Sequence, residues 1–433
     1  MATFFVLGDF KLDFFAVFIG IGISIFLIIK KLNPISSLLL GTLLGAFIST
    51  NSLQEVLDIF VTGISNMSGI NARVISGGIM AGVLIGSGAM EKIARWIIDI
   101  LGEQRAVTAL ALSAMLSTAF GVFITVGVII LGPIGMEMYK KSNISKSSII
   151  LALSGGGKAG NIISPNPNTV AASEIFELPL SYVMLNGIIP AILGITFTII
   201  IANKLKNKKD NIEQIDEEIK KLEKNKLPSI LKSLSAPLIA LFLLSFGPIL
   251  NIFIDIPFLI IDIMFILPIS AIIGVIILGK TREIISYINL GISKVMPVIL
   301  TMMGVGALGE MIHRSNLPNI IENVIYTLNI PIFLLAPISG AFMSLATGST
   351  SNGVILAGSS FANTLIYNGI APISAAIMMH AGSMFLDTTP HGNYILASCE
   401  VFKITMKERI KIIPYEIIVG GIIMIAAILI MQI

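Results

Sequence analysis

Long apolar runs recur along the whole chain, and they constrain its fold more than any other feature. The runs lie at 12–30, 34–50, 74–90, 182–202, 234–253, 258–279 and 412–431. About 20 apolar residues, each rising 1.5 Å along a helix, span the hydrocarbon core of a bilayer. Because lipid offers backbone groups no partner, we expect these runs to be helical. The pattern therefore predicts an all-α polytopic protein of the cell membrane.

The charge content supports a membrane protein and excludes several other classes. Only 12% of the residues are charged, against roughly 25% in soluble domains. The net charge of +3 is scattered, so we expect no nucleic-acid partner. Three histidines and Cys399 as the only cysteine offer little to a metal site or to covalent catalysis. We expect no cofactor and no metal, and we predict that the chain is not an enzyme.

A polar segment at 203–232 separates two apolar halves. It contains nine of the 28 Lys and Arg residues. Short loops rich in Lys and Arg stay on the cytoplasmic side of a membrane, so we predict a cytoplasmic linker. The loops at 51–54 and 254–257 contain no Lys or Arg and should face outward. This orientation makes 12–30 run inward and 234–253 run outward.

The sequence repeats itself on either side of this linker. Gly-Ile-Ser at 63–65 recurs at 291–293, and residues 170–176 resemble 396–402, at offsets of 228 and 226 residues. Together with the predicted orientation, this similarity indicates two inverted repeats, 1–202 and 233–433. Inverted repeats are typical of secondary transporters, whose binding site lies at the repeat interface near the middle of the membrane.

Polar and proline-containing segments interrupt the apolar stretches at matching places in the two halves. They lie at 121–125 and 154–169 in the first half, and at 347–353 and 380–393 in the second. Proline removes a donor and disfavours helix in the preceding residue, so we expect broken helices at 164–169 and 387–393. Short hydroxyl and amide side chains bind carboxylates or cations, and exposed amides at helix starts favour anions.

These interruptions supply the candidate site residues. For cargo binding we predict Gly121, Thr125, Lys158, Ser164, Asn166, Asn168, Thr169, Ser349, Thr350, Ser351, Asn352, Thr388, Thr389, His391 and Asn393. For the coupling ion we predict Asp387, Asn161 and Gly348. A charge inside the membrane is costly, which makes Lys158 and Asp387 functional candidates. We expect Lys158 to pair with a cargo carboxylate, or alternatively to extend its ammonium to water. Asp387 and His391 are alternatively a structural pair that fixes the loop.

Several of these stretches resemble the gluconate permease (GntP) family, within the wider ion transporter superfamily. They are residues 82–102, 121–133, the triple glycine with Ser-Pro-Asn-Pro-Asn-Thr at 155–169, Leu-Asp-Thr-Thr-Pro-His-Gly-Asn at 386–393, and Pro-Tyr-Glu at 414–416. The resemblance implies a scaffold domain and a mobile transport domain, elevator-type movement and a homodimer. It further implies re-entrant hairpins with tips at 121–125 and 348–352.

The combined hypothesis is a symporter that moves a small organic carboxylate with H⁺ or Na⁺. Gluconate or a related hydroxy or keto acid is the expected cargo. One alternative is a cation/proton antiporter of the same superfamily, in which Asp387 is the essential ion site. The other alternative is a membrane-embedded enzyme.

Overall fold

The computed structural model describes residues 13–30, 32–50, 52–142, 144–207, 227–253 and 262–432. These residues form α-helices, short 3₁₀ turns and connections, with no β-strand among them. The expected all-α architecture is therefore confirmed for the described part of the chain. Most of the predicted linker, residues 208–226, lies outside it.

The described helices fall into two sets separated by the linker. The first set is α1 (Phe14–Ile29), α2 (Pro34–Thr50), α3 (Leu53–Asn66), α4 (Ser68–Gly86), α5 (Ala89–Leu101), α6 (Ala106–Ala119), α7 (Ile124–Ser142), α8 (Lys146–Asn161), α9 (Pro167–Ile175), α10 (Leu180–Asn186) and α11 (Ile188–Leu205). The second set is α12 (Ile230–Phe253), α13 (Ile263–Leu278), α14 (Ile284–His313), α15 (Leu317–Thr327), α16 (Leu335–Thr347), α17 (Thr350–Tyr367), α18 (Pro372–Ser383), α19 (Asn393–Phe402), α20 (Met406–Ile410) and α21 (Ile413–Met431).

The two sets follow the same order of long and short helices. The starts of α17, α19 and α20 each lie 226 residues after the starts of α7, α9 and α10. In the first set α3 and α4 stand where the second has the single long helix α14. The helices of the two halves therefore align at the offset that also aligns their similar sequences.

Four helical stretches in the described residues are long and apolar enough to cross a membrane. They are Leu53–Gly86, Ile188–Leu205, Thr281–His313 and Met406–Met431. Shorter apolar helices, among them α1, α2 and α13, accompany them. Most apolar runs seen in the sequence correspond to one helix each, whereas 74–90 and 182–202 cross from one helix to the next.

Contacts between helices define two packing groups. The first group contains α1–α4 and α12–α14, where α14 packs along α2, α3 and α4. The second group contains α6–α11 and α16–α21, where α8 lies between α6 and α11 and α18 lies between α16 and α21. The groups meet mainly where α17 packs on α14 and α9 packs on α4.

Glycines allow the helices of each group to approach very closely. A Cβ atom on Gly291 of α14 would lie 2.1 Å from the carbonyl oxygen of Gly78 on α4. Within α8, a Cβ atom on Gly156 would lie 2.2 Å from the carbonyl oxygen of Ala111. Small residues at such crossings are typical of membrane helices.

Candidate functional site

Two helices of the second packing group are interrupted as predicted, although each interruption is shorter than the polar stretch in the sequence. The first break comprises residues 162–166 between α8 and α9, and the second break comprises 384–392 between α18 and α19. The triple glycine at 155–157, expected within the first interruption, is helical instead. It is needed for close packing of α8 rather than for a turn.

Asn166 organises the first break. Its Oδ1 accepts hydrogen bonds from the backbone amides of Asn168 and Thr169, at 2.9 and 3.2 Å, and so caps α9. Its Nδ2 donates to Oδ1 of Asn161 at 2.7 Å. The hydroxyl of Thr169 donates to the carbonyl of Asn161 at 3.0 Å. The end of α8 and the start of α9 are thereby held together by side chains.

Two tight turns lie against these breaks. The first tip, residues 120–123, joins α6 to α7, and Gly121 there has a φ of +88°. The second tip, residues 348–349, joins α16 to α17, and Gly348 has a φ of +64°. A Cβ atom on Gly348 would lie 2.7 Å from Oγ1 of Thr389, so the second tip packs directly on the second break.

The tips and breaks enclose a cavity of about 120 Å³. One water-sized group occupies roughly 10–15 Å³ on this measure, so the cavity holds on the order of ten such groups. Its described lining residues are Phe123, Ile124, Thr125, Lys158, Asn161, Asn166, Pro167, Asn168, Val298, Gly348, Ser349, Thr350, Ser351, Asp387, Thr388, Asn393 and Tyr394. The space suits a small organic molecule rather than a bare ion.

Four helices begin at this cavity. Its lining includes residues from the first turn of α7, α9, α17 and α19. The backbone amides at a helix start carry partial positive charge, which favours a bound anion. The fold therefore directs four such helix ends towards one small volume.

The charged residues of the described lining are Lys158 and Asp387, and they pair with each other. The Nζ atom of Lys158 donates to Oδ1 of Asp387 and, at 2.5 Å, to the carbonyl of Met384. The two side chains are only 3% and 13% exposed. Thr350 and Thr388 donate their hydroxyls to the same carboxylate at 2.6 and 2.9 Å. The pair connects α8 of the first half to the second break.

A second connection joins the halves beside this pair. The hydroxyl of Ser351, in the first turn of α17, donates to Oδ1 of Asn168 in the first turn of α9. The start of α17 therefore contacts the start of α9, and residues from both halves of the chain form one site.

Comparison with known proteins identifies the family. The family model of the GntP family permeases matches residues 12–433. The chain belongs to this family. A protein of Haemophilus influenzae described as an uncharacterized transporter is 40% identical to this permease, over 92% of this chain and 93% of its own. Family membership makes the chain an integral membrane transporter and not an enzyme, so the membrane-enzyme alternative is set aside.

More distant relatives have named cargoes or known folds. The high-affinity gluconate transporter of Escherichia coli is 22% identical over 91% of this chain and 94% of its own. A gluconate permease of Pseudomonas aeruginosa is also 22% identical, with coverages of 90% and 91%. The crystal structure of the Alcanivorax borkumensis YdaH transporter shares the fold, with a TM-score of 0.60 and 15% identity, and covers 87% of this chain and 89% of that one.

The structure brings most of the sequence-predicted site residues of this permease to the cavity. Those that line it are Thr125, Lys158, Asn161, Asn166, Asn168, Gly348, Ser349, Thr350, Ser351, Asp387, Thr388 and Asn393. The others, which the lining does not include, are Gly121, Ser164, Thr169, Asn352, Thr389 and His391.

The predicted residues outside the lining support the backbone around it. Ser164 donates to the carbonyl of Thr118, which joins the first break to the end of α6. Oγ1 of Thr389 lies 3.2 Å from Nε2 of His391, so His391 pairs with its neighbouring threonine. Asn352 is buried, and its backbone amide lies 3.5 Å from the Ser349 hydroxyl that caps α17. These residues shape the site from behind the cavity surface.

Lys158 differs from the sequence-based expectation of a pair with cargo. Its ammonium is already paired with Asp387, because the two breaks converge and place a carboxylate beside it. A buried charge needs such a partner.

Five lining residues were not among the sequence-predicted set: Phe123, Ile124, Pro167, Val298 and Tyr394. The first three lie within interrupted segments that the sequence had indicated. Tyr394 follows Asn393 in the first turn of α19, and its proximity to the second break was the only signal. Val298 lies on α14 in the first packing group, and an apolar residue in a long apolar helix gives no signal at all. The described residues contain no group of three or more His, Cys, Asp or Glu side chains arranged to hold a metal ion.

Proposed function

We propose that this permease is a secondary active symporter of a small organic carboxylate, coupled to H⁺ or Na⁺. Gluconate or a related hydroxy or keto acid is the proposed cargo class. The observation that carries the proposal is the meeting of four helix starts at a cavity lined by amides and hydroxyls. Such a site favours an anion that also accepts and donates hydrogen bonds, as a hydroxy acid does.

The charge balance of the cavity supports the same cargo. Lys158 and Asp387 neutralise each other, so the remaining field comes from the helix starts. A carboxylate then meets partial positive charge without facing an unpaired carboxylate of the protein. The antiporter alternative would leave the amides and hydroxyls of the cavity without a cargo role.

We further propose that the halves 1–202 and 233–433 are inverted repeats joined by a cytoplasmic linker at 203–232. The common order of helices and the basic linker support this proposal. The second packing group would be the mobile transport domain and the first group the scaffold.

The unequal contacts of the halves support an elevator-type movement. In the described residues α17 packs on α14, whereas its counterpart α7 has no comparable packing on α4. If the halves exchanged these contacts, the cavity would open to the other side of the membrane. Alternating access by movement between packed bundles is common in transporters with inverted repeats.

We also propose a homodimer in the cell membrane. The resemblance to the family and the exposed apolar side chains of α1 and α13, such as Phe15, Phe18 and Phe265, support it. Mass measurement in lipid nanodiscs tests the proposal, and a uniform monomer that transports would contradict it.

Uptake into proteoliposomes tests the function directly. We expect counterflow of labelled gluconate or hydroxybutyrate, with cargo-dependent protection against thermal unfolding. Thr125→Val in the cavity should weaken uptake, while Thr196→Val on the exposed face of α11 should not. Cation exchange that proceeds without any organic anion would favour the antiporter instead.

A further inference from the structure

The Lys158 ammonium is surrounded by oxygen atoms of the kinds that bind a free cation. The Nζ atom contacts a carboxylate oxygen of Asp387 and the carbonyl oxygen of Met384. That carbonyl belongs to the second break, where α18 has just ended. Thr350 and Thr388 add hydroxyl oxygens at the same carboxylate. Carboxylate, carbonyl and hydroxyl oxygens around an unwound helix end are the groups that bind hard cations in transporters.

The side chain of Lys158 is held in this position by contacts with the other half of the chain. It comes from α8 in the first half, whereas its acceptors lie in the second break. It is 3% exposed, so its charge is compensated by these acceptors rather than by water. An ammonium is a compact single positive charge on a flexible stem, similar in charge to a sodium ion.

We propose that the Lys158 ammonium is a tethered cation that takes the place of a free sodium ion at Asp387. The inference rests on the proposed transport function and deepens it. Asp387 of the native permease then binds no sodium, and transport does not depend on sodium at this carboxylate. Removing the ammonium creates a sodium site from the oxygens that it leaves behind.

A purely structural ion pair predicts something different. Loss of either partner would then lower stability equally in any monovalent salt, because no ion would replace the missing charge. Recovery of the stability of the Lys158 variant in sodium therefore distinguishes the two roles.

The first test compares thermal unfolding in sodium and potassium, without cargo. Lys158→Gln should unfold about 2–4 °C higher in sodium than in potassium. The native permease should show no difference, nor should Lys158→Gln/Asp387→Asn, which lacks the carboxylate. Lys204→Gln is the matched control, since Lys204 is exposed at the end of α11. Equal unfolding temperatures of Lys158→Gln in the two salts would overturn the proposal.

The second test measures uptake of labelled gluconate. Uptake by Lys158→Gln should rise at least about fivefold when sodium replaces potassium, while native uptake stays unchanged. If the Lys158→Gln variant does not accumulate in cells, measurements on the native protein still test the proposal. Native stability or uptake that sodium raises, and that loses this response in Asp387→Asn, would refute the tethered cation. Because the thermal test contains no cargo, its result stands even if gluconate is not transported.

Discussion

At the scale of single residues, several polar side chains of the cavity also hold the two breaks in place. Asn166 lines the cavity and also caps α9 and binds Asn161. Thr350 lines the cavity and donates to Asp387. Unwound backbone inside a membrane must be satisfied by neighbouring groups, so some side chains that line the cavity also stabilise the breaks. Effects on affinity and stability should therefore be separated by comparing residues inside and outside the lining.

Asn166→Ala should weaken cargo binding about tenfold, the equivalent of one hydrogen bond, and lower the free energy of unfolding by about 1 kcal/mol through loss of the cap. Asn352→Ala, buried outside the lining, should leave affinity within about twofold. Titration with gluconate, followed by thermal unfolding, measures the cargo affinity and the stability of both variants. Equal loss of affinity in the two would place Asn352 at the cargo as well.

A buried ion pair behind Tyr394 joins the last two helices. Arg409 donates to both carboxylate oxygens of Glu416, at 2.7 and 2.8 Å, and to Ser398 at 2.7 Å. Both side chains of the ion pair are fully buried. Removing one partner leaves the other charge buried and unpaired, which is far more costly than losing the pair together.

Arg409→Met should therefore lower the free energy of unfolding by about 3–5 kcal/mol, whereas Arg409→Met/Glu416→Leu should recover most of that loss. Thermal unfolding in detergent micelles gives the comparison, with Lys407→Gln as an exposed control in the same helix. If the double variant were as unstable as the single one, unpaired charge would not be the cause.

At the scale of helices, close backbone packing joins α4 to α14 in the first packing group. Beside Gly291, a Cβ atom on Gly82 would lie 2.2 Å from the carbonyl of Tyr287. The backbones of α4 and α14 therefore touch along more than one turn. Without a hydrophobic driving force between helices in lipid, such contact is a main source of their association.

Gly291→Ala should separate α4 from α14 and lower the free energy of unfolding by about 1–3 kcal/mol. Gly22→Ala on α1 is the matched control, because a Cβ atom there meets nothing within 4 Å. The midpoint of thermal unfolding and the yield of monodisperse protein report the difference. Similar behaviour of the two variants would argue against close packing at this crossing.

At the scale of the whole molecule, one ion pair connects the two packing groups in the described part of the chain. Arg73 on α4 contacts Glu174 on α9 at 2.9 Å and Asp262, the residue before α13, at 2.6 Å. A partly exposed pair contributes modestly to stability. Its position nevertheless marks a contact that has to break if the groups move past each other, as proposed.

Cross-linking Arg73→Cys to Glu174→Cys, in a chain with Cys399→Ser, should abolish uptake, and cleavage of a reducible linker should restore it. The matched pair Asp58→Cys and Arg314→Cys joins α3 to the end of α14 within the first group, so its cross-link should leave uptake unchanged. Full uptake by the cross-linked Arg73–Glu174 variant would rule out relative movement at this contact.

The sequence alone determined the helical membrane class and the places where helices break. Both follow from local physics, since apolar length predicts a span, and proline beside polar residues predicts a break. The prolines at 133, 268 and 297, in more apolar surroundings, lie inside helices. It also indicated most of the lining residues, because polar groups inside apolar stretches are few.

Only the tertiary structure decided which of these groups meet. The pairing of Lys158 with Asp387, the four helix starts at one cavity, and the presence of Val298 there depend on residues far apart in the chain. Neither the periodicity nor the residue types of a sequence indicate which distant residues come into contact. The extent of the first break was decided in the same way, because the packing of α8 on α6, and not local propensity, keeps the triple glycine helical.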